Sequence, residues 1–191
     1  MDQLRRPSRV LIENDLELVQ RCRNGDSDAF ADLVIRYQRP VYNAALWILR
    51  KPEDASDVAQ TVFLKVVENL DEYDSRFRLF SWIYRIAVNE SLNLLRRNGR
   101  EEALDEEADF ADDDRAGPES RFDAAQRAER LRRTIHRMST QDRTVLVLRH
   151  FGELSYDAIG ETLGIDQKTV KSRLFDARHR LRDLLKDLRT T

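Results

Sequence analysis

The sequence predicts an all-α protein built as two small helical domains, and three observations carry that prediction. Apolar residues recur every three to four positions through most of the chain, the period of helices with one buried face. Six glycines and four prolines in 191 residues are too few for the turns of a sheet fold, while charged residues reach 36%. One stretch, from Arg100 to about Ser120, is acidic, poor in large apolar residues and carries Gly117-Pro118, the composition of a flexible linker. The expected organisation is a tail at residues 1–13, a first domain at 14–98, an acidic linker at 99–121 and a second domain at 122–188.

The first domain opens with a helix through Leu16 to Cys22. A second follows, with Phe30, Leu33, Val34, Tyr37, Val41, Ala44, Ala45 and Ile48 in helical register, and Pro52 marks the next helix start. The third helix runs from about Asp54 to Leu70 on a stripe of Ala55, Val58, Ala59, Val62, Phe63, Val66 and Leu70. The fourth spans roughly Leu79 to Arg97, with Ile83, Ile86, Ala87 and Leu94 as its buried stripe. In the second domain helices are expected at Phe122 to Met138, Thr140 to His150, Tyr156 to Leu163 and Gln167 to about Leu188. Ser139 with Asp142 reads as a capping box, and Ser155 caps the helix after it.

Charge narrows the function classes. The net charge is −2, yet Arg76 to Arg100 carries six basic residues against Glu90 alone, and Ile165 to Thr191 carries eight basic against four acidic. Glu101 to Asp123 holds eleven acids against Arg115 and Arg121. Two basic surfaces joined by an acidic connector point to nucleic acid. The lone Cys22 excludes an internal disulfide and multi-cysteine metal sites, and is read as a core or boundary thiol. No run approaches the ~20 apolar residues of a membrane span, and the N-terminus lacks a secretory signal, so a cytoplasmic protein is expected.

Residues 154–174 have the plan of a helix-turn-helix: a short helix, a turn at Gly164, then a second helix. In the second helix Val170, Leu174, Ala177 and Leu181 face inward, leaving Lys168, Lys171, Ser172, Phe175 and Arg182 outward. An outward phenylalanine among cations suits a thymine methyl or a sugar, and Lys171 and Arg173 reach phosphates or guanine edges. Arg178 and Arg180 are assigned to the DNA backbone.

In the first domain Tyr73, Arg76, Phe77, Arg78 and Phe80 interleave basic and aromatic groups just before Trp82, Arg85 and Asn89 on one helix face. That mixture is what single-stranded DNA recognition uses; the competing reading makes Phe80, Trp82 and Tyr84 core residues. Helix three presents Asp57, Gln60, Thr61, Leu64 and Glu68 opposite its buried stripe, either a solvated face or a protein-docking surface. No enzyme is expected, because His136, His150 and His179 lack metal-ligand spacing and Asp112-Asp113-Asp114 reads as a solvated acidic run. No cofactor or metal is expected. A conventional helix-turn-helix regulator is the alternative, although residues 14–98 lack the strand-helix alternation of a phospho-receiver.

Three segments in this order resemble the extracytoplasmic-function (group 4) sigma factors of the sigma-70 family: Asp54-Ala-Ser-Asp-Val-Ala-Gln-Thr-Val-Phe-Leu-Lys-Val, Phe80-Ser-Trp-Ile-Tyr-Arg-Ile-Ala-Val-Asn, and Val145-Leu-Val-Leu-Arg-His-Phe with the helix-turn-helix. The resemblance implies a sigma-2 domain, a sigma-4 domain and promoter-specific initiation with core RNA polymerase. It implies contact with the polymerase beta-prime subunit through Asp57, Gln60, Thr61 and Leu64, contact with the beta subunit, and control by an anti-sigma factor. Minus-ten DNA would be captured over Asp71 to Asn89, through Tyr73, Arg76, Phe77, Phe80, Trp82, Arg85 and Asn89. Minus-thirty-five DNA would be read through Lys168, Lys171, Ser172, Arg173, Phe175 and Arg178. Two positions depart from the family pattern: Met138-Ser139 replaces Leu-Pro, and Gly160 replaces a small helix-former. Gly160 is expected to cost its helix on the order of 1 kcal/mol relative to alanine.

Overall fold

The computed structural model describes residues 14–98, 131 and 133–187. The expected tail, the acidic linker, Asp112-Asp113-Asp114 and the start of the fifth predicted helix lie outside the described residues.

The N-terminal domain packs four helices. α1 (Asp15–Arg23) starts where the Asn14 side chain accepts from the Leu16 amide, and carries acids in its first turn and arginines in its last, as the helix dipole favours. α2 (Ser27–Leu49) is capped by Asp26, whose carboxylate accepts from the Asp28 and Ala29 amides. Pro40 sits inside α2 and removes one backbone donor, but Tyr37, Val41, Ala44 and Ala45 around it are buried, and their packing carries the helix through. Arg50 ends α2 in a left-handed conformation, and Pro52 then occupies the first turn of α3 (Pro52–Glu68), where its missing N–H costs nothing.

A 3-10 turn (Leu70–Glu72) and a loop lead to α4 (Leu79–Arg97). Helices α2, α3 and α4 pack on one another around Leu33, Ile48, Val62, Val66, Leu79 and Ile83, each no more than 1% exposed. The buried stripe of α4 is Leu79, Ile83, Tyr84, Ala87, Val88 and Ser91, while Ile86 and Leu94 are only half-buried. The expected stripe is therefore rotated toward Tyr84 and Val88. Neighbours on both sides widen it, and Ser91 is tolerated because its hydroxyl donates to the Ala87 carbonyl.

The described residues of the C-terminal domain are helical at 131 and 133–136, then form α5 (Thr140–Leu146), α6 (Tyr156–Leu163) and α7 (Gln167–Asp187). Its core is Val145, Leu148, Leu154, Ile159, Val170, Leu174 and Ala177. The expected single helix from Thr140 to His150 is instead α5 continued by a π-helical turn (Val147–Phe151). The expected capping box is half made: Ser139 accepts from the Asp142 amide, but the Asp142 carboxylate is buried and pairs with Arg180. Gly164 closes α6 at φ 65°, the left-handed turn the helix-turn-helix needs.

Gly160 reverses an expectation. A Cβ there would lie 2.6 Å from the Ile165 carbonyl oxygen, so the backbone after the turn closes on α6 at the one position without a side chain. Glycine is what allows the two helices of the motif to cross so closely.

The two domains touch. The buried Arg143 guanidinium donates to the Ile48 carbonyl at 3.2 Å, reaching the C-terminal end of α2, and to the Met138 carbonyl at 2.8 Å. Trp47 stacks on Phe151 and meets the His136 ring edge-on, with centroids 5.7 and 5.6 Å apart. The Ser81 hydroxyl donates to the Gly152 carbonyl at 3.0 Å.

Candidate nucleic-acid interface

The first turn of α7 is set by Asp166. Its carboxylate accepts from the Thr169 amide at 2.8 Å and the Thr169 hydroxyl at 2.7 Å, and these bonds hold the Asp166 carboxyl below the usual carboxylate range. From there α7 buries Val170, Leu174 and Ala177, so Lys168, Lys171, Ser172 and Phe175 face solvent. Phe175 is 61% exposed, its ring against His179 with centroids 4.1 Å apart. Arg173 is half-buried at the edge of the face. The Lys171 ammonium lies 5.9 Å from the Tyr156 ring centroid, and the Arg149 guanidinium lies 5.1 Å from the same ring. Tyr156, which the sequence did not single out, lies against both cations.

Arg178 follows Lys171 and Phe175 on the same stripe of α7, seven and three residues on, whereas Arg180 falls on another side of the helix. Arg180 pairs with the buried Asp142 and ties α7 to α5, a contact its expected place on the DNA backbone did not anticipate. Arg178 donates to His150 Nε2 at 3.3 Å and lines an apolar groove with Leu131, Ile135, Leu146, Phe151, Leu181 and Leu185. The groove has a volume of about 520 Å³. Partial burial, then the charges of Arg178 and Arg149, push the His150 pKa down.

In the N-terminal domain the loop before α4 divides the expected set. Phe77 is 64% exposed, while Arg76 is exposed and grips Asp74, donating from Nε at 2.8 Å and from its terminal nitrogen at 2.6 Å. That clasp holds the Asp74 carboxyl below its ordinary range. Tyr73 departs from the expectation: it is 6% exposed, its hydroxyl donates to the Phe77 carbonyl at 2.6 Å, and its ring packs on Trp82. Tyr73 shapes the loop instead of offering a free stacking face. Burial, followed by the Asp15 and Asp74 charges, raises its pKa.

Phe80 is half-buried between Tyr37 and Tyr84, partly fulfilling the core reading, and Tyr84 is a core residue outright. Trp82, Arg85 and Asn89 are half-buried and fall on one stripe of α4 with Arg78, at helical spacing. On α3, Leu64 is 65% exposed, Asp57 and Gln60 are exposed, and the Thr61 hydroxyl donates to the Asp57 carbonyl at 2.9 Å. Cys22 is half-buried against the core, in keeping with a boundary thiol. Among the described residues no three His, Cys, Asp or Glu side chains gather as a metal site, and no helix is long and apolar enough to cross a membrane.

Comparison with known proteins matches residues 33–101 to Sigma-70 region 2 and residues 128–181 to Sigma-70 region 4. The ECF RNA polymerase sigma factor SigW of Bacillus subtilis is 31% identical over 179 residues, covering 89% of this chain and 96% of its own. The ECF RNA polymerase sigma-E factor of Escherichia coli is 34% identical over 174 residues, covering 86% of this chain and 90% of its own. Among solved structures, CnrH in complex with the cytosolic domain of CnrY is 26% identical, with a TM-score of 0.59 over 89% of this chain and 96% of CnrH. The sigma factor RpoE of Bartonella quintana, solved with the anti-sigma factor NepR, shares the fold at a TM-score of 0.65 and 22% identity, over 82% of this chain and 96% of RpoE. With two domain types matched in the right order and relatives aligned nearly end to end, the chain belongs to the ECF RNA polymerase sigma factors.

Proposed function

We propose that this sigma factor divides its work between three surfaces. The exposed face of α3, centred on Leu64 with Asp57, Gln60 and Thr61, docks on the beta-prime subunit of core polymerase. The Lys168, Lys171, Ser172, Arg173, Phe175 and Arg178 face of α7 enters the major groove of the minus-thirty-five element. Phe77, Trp82, Arg85 and Asn89, with Arg76 on the adjoining phosphates, hold the minus-ten strand once it is unpaired. The apolar groove beside Arg178 serves as the second protein-docking surface and is assigned to the beta subunit. The domain limits are 14–98 and 122–188, joined by the acidic linker at 99–121.

The observation that carries this reading is Phe175, more than half exposed among cations on the second helix of a helix-turn-helix. A large apolar side chain so placed has only the His179 ring beside it in the free domain and gains further contact on DNA. Stacking supplies ~1–3 kcal/mol per unpaired base, enough to favour a melted strand that polymerase opens and too little to open it alone. The chain acts as a transcription initiation factor and not as an enzyme, in the cytoplasm where the polymerase works. An anti-sigma partner holds it inactive; the CnrH relative, solved with a cytosolic protein domain bound, supports that reading.

In vitro transcription with core polymerase and a promoter library tests the proposal. The expected result is initiation only when the chain is present, from templates sharing two short motifs at fixed spacing. Core enzyme that initiates equally well without the chain would overturn it, and tight dimeric binding to a palindrome would favour the conventional regulator.

A further inference from the structure

Arg23 closes α1, and its side chain bonds to residues 47 to 50 positions further along the chain. Its Nε and Nη2 donate to the Leu70 carbonyl at 3.2 and 2.8 Å, and Nη2 also donates to the carbonyls of Asp71 at 3.3 Å and Tyr73 at 3.0 Å. Three backbone carbonyls at the entry to the loop before α4 thus converge on one planar guanidinium, which fixes direction as well as distance. The Asp71 carboxylate lies 3.6 Å from Arg23 and is 93% exposed, so that ion pair contributes little and the carbonyls hold the side chain.

The base of this clamp is itself anchored. Leu18 and Val19 bury α1 against its neighbours, and the Asp15 carboxylate accepts from the Tyr37 hydroxyl at 2.7 Å and the Arg36 guanidinium at 2.9 Å. At the other end of α1 the Arg21 side chain donates to the Asp26 carboxylate at 2.8 Å, pinning the turn beside Arg23. Helix α1 is therefore a strut that runs from α2 to the loop.

Beyond Arg23 the loop carries its own bonds in series. The Tyr73 amide donates to the Leu70 carbonyl at 3.2 Å, the Phe77 amide to the Asp74 carbonyl at 3.0 Å, and the Tyr73 hydroxyl to the Phe77 carbonyl at 2.6 Å. Those bonds fix the loop's shape; Arg23, with the Tyr73 ring on Trp82, fixes its place on the domain. Phe77 nevertheless keeps its ring 64% exposed. An exposed ring on a tied backbone loses less freedom when a base stacks on it than one on a loose loop.

We propose that Arg23 is a positioning residue for minus-ten recognition: from α1, outside the loop and outside the α4 stripe, it holds the loop backbone so that Phe77 and Arg76 meet the unpaired strand in one fixed arrangement. This rests on reading the loop before α4 as DNA-facing.

Minus-ten selectivity, measured as transcription by the full chain with core polymerase, tests the assignment. On a promoter taken from the library each minus-ten base is replaced in turn, and the ratio of transcription from original and replaced templates is compared between the parent and Arg23→Met. Methionine keeps an unbranched stem and removes the fork. The ratio should fall roughly three- to tenfold at one or more minus-ten positions, the scale of one lost ordering contact, while the ratio for replacements in the minus-thirty-five element stays at the parent value. Arg23→Lys, which keeps the charge and gives up the planar fork, should lie between. Tyr73→Phe releases the Phe77 carbonyl at the other end of the loop and should lower the same minus-ten ratio. These two variants decide the point where Arg23→Met does not fold.

Amide exchange supplies the second readout. The Tyr73 and Phe77 amides should exchange faster in Arg23→Met, while those of Val62 and Val66 in α3 keep the parent rates. Acceleration throughout the domain, with both promoter elements losing selectivity together, would make Arg23 a general stabiliser and overturn the inference. A parent chain without any minus-ten preference removes the DNA reading of the loop and this inference with it. A parent preference that Arg23→Met, or Arg23→Lys and Tyr73→Phe in its stead, retains in full removes the inference alone.

Discussion

Gly160 and Phe175 show how far single positions can mislead or inform. In the helix interior glycine ordinarily costs ~1 kcal/mol against alanine, but here the added methyl would strike the Ile165 carbonyl at 2.6 Å. Gly160→Ala should therefore destabilise the protein, by about 1–3 kcal/mol in urea unfolding, because backbone has to move. Phe175→Ala should change folding stability by less than ~0.5 kcal/mol, since the ring is exposed. It should weaken discrimination at the minus-thirty-five element by about 1 kcal/mol, read as the ratio of specific to non-specific template use. The exposure of Phe175 was legible from its place opposite Val170, Leu174 and Ala177. The burial of Tyr73 was not, because a loop has no periodicity and its ring finds Trp82 only through the fold.

Among the described residues most helices were predicted nearly to their ends, since buried stripes repeat at 3.6 and proline, asparagine, aspartate and serine mark the starts. The misses arose where an element answers to distant neighbours. The π-helical turn at Val147–Phe151 has no sequence signature of its own, and α4 is buried over a wider arc than its apolar pattern suggests because Tyr84 and Ser91 are buried as well. On the docking role proposed for the α3 face that carries exposed Leu64, Leu64→Ala should weaken core polymerase binding by about 1–2 kcal/mol in a competition assay. Circular dichroism and melting should be unchanged.

The start of α7 depends on Asp166, whose carboxyl titrates lower folded than unfolded. Its contribution is complete above the ordinary carboxylate range, about pH 4, and is lost as pH falls through the depressed folded value. Amide exchange at Thr169 and Val170 should accelerate over that acid interval in the parent chain. Asp166→Asn keeps a capping oxygen and should flatten the acid response.

At the scale of the molecule, each domain's composition and order were readable, because a basic island, an acidic connector and a second basic island are separated along the chain. The seam between the domains was not. Its pairs, such as Ser81 with Gly152 and Arg143 with Ile48, stand 71 and 95 residues apart, and no local spacing announces them. One of the chain's two tryptophans, Trp47, is held in that seam between an imidazole and a phenyl ring. The protein thus carries its own optical gauge: in a Trp82→Phe background, emission should shift to longer wavelength in Phe151→Ala, as water reaches an indole that the parent keeps half dry.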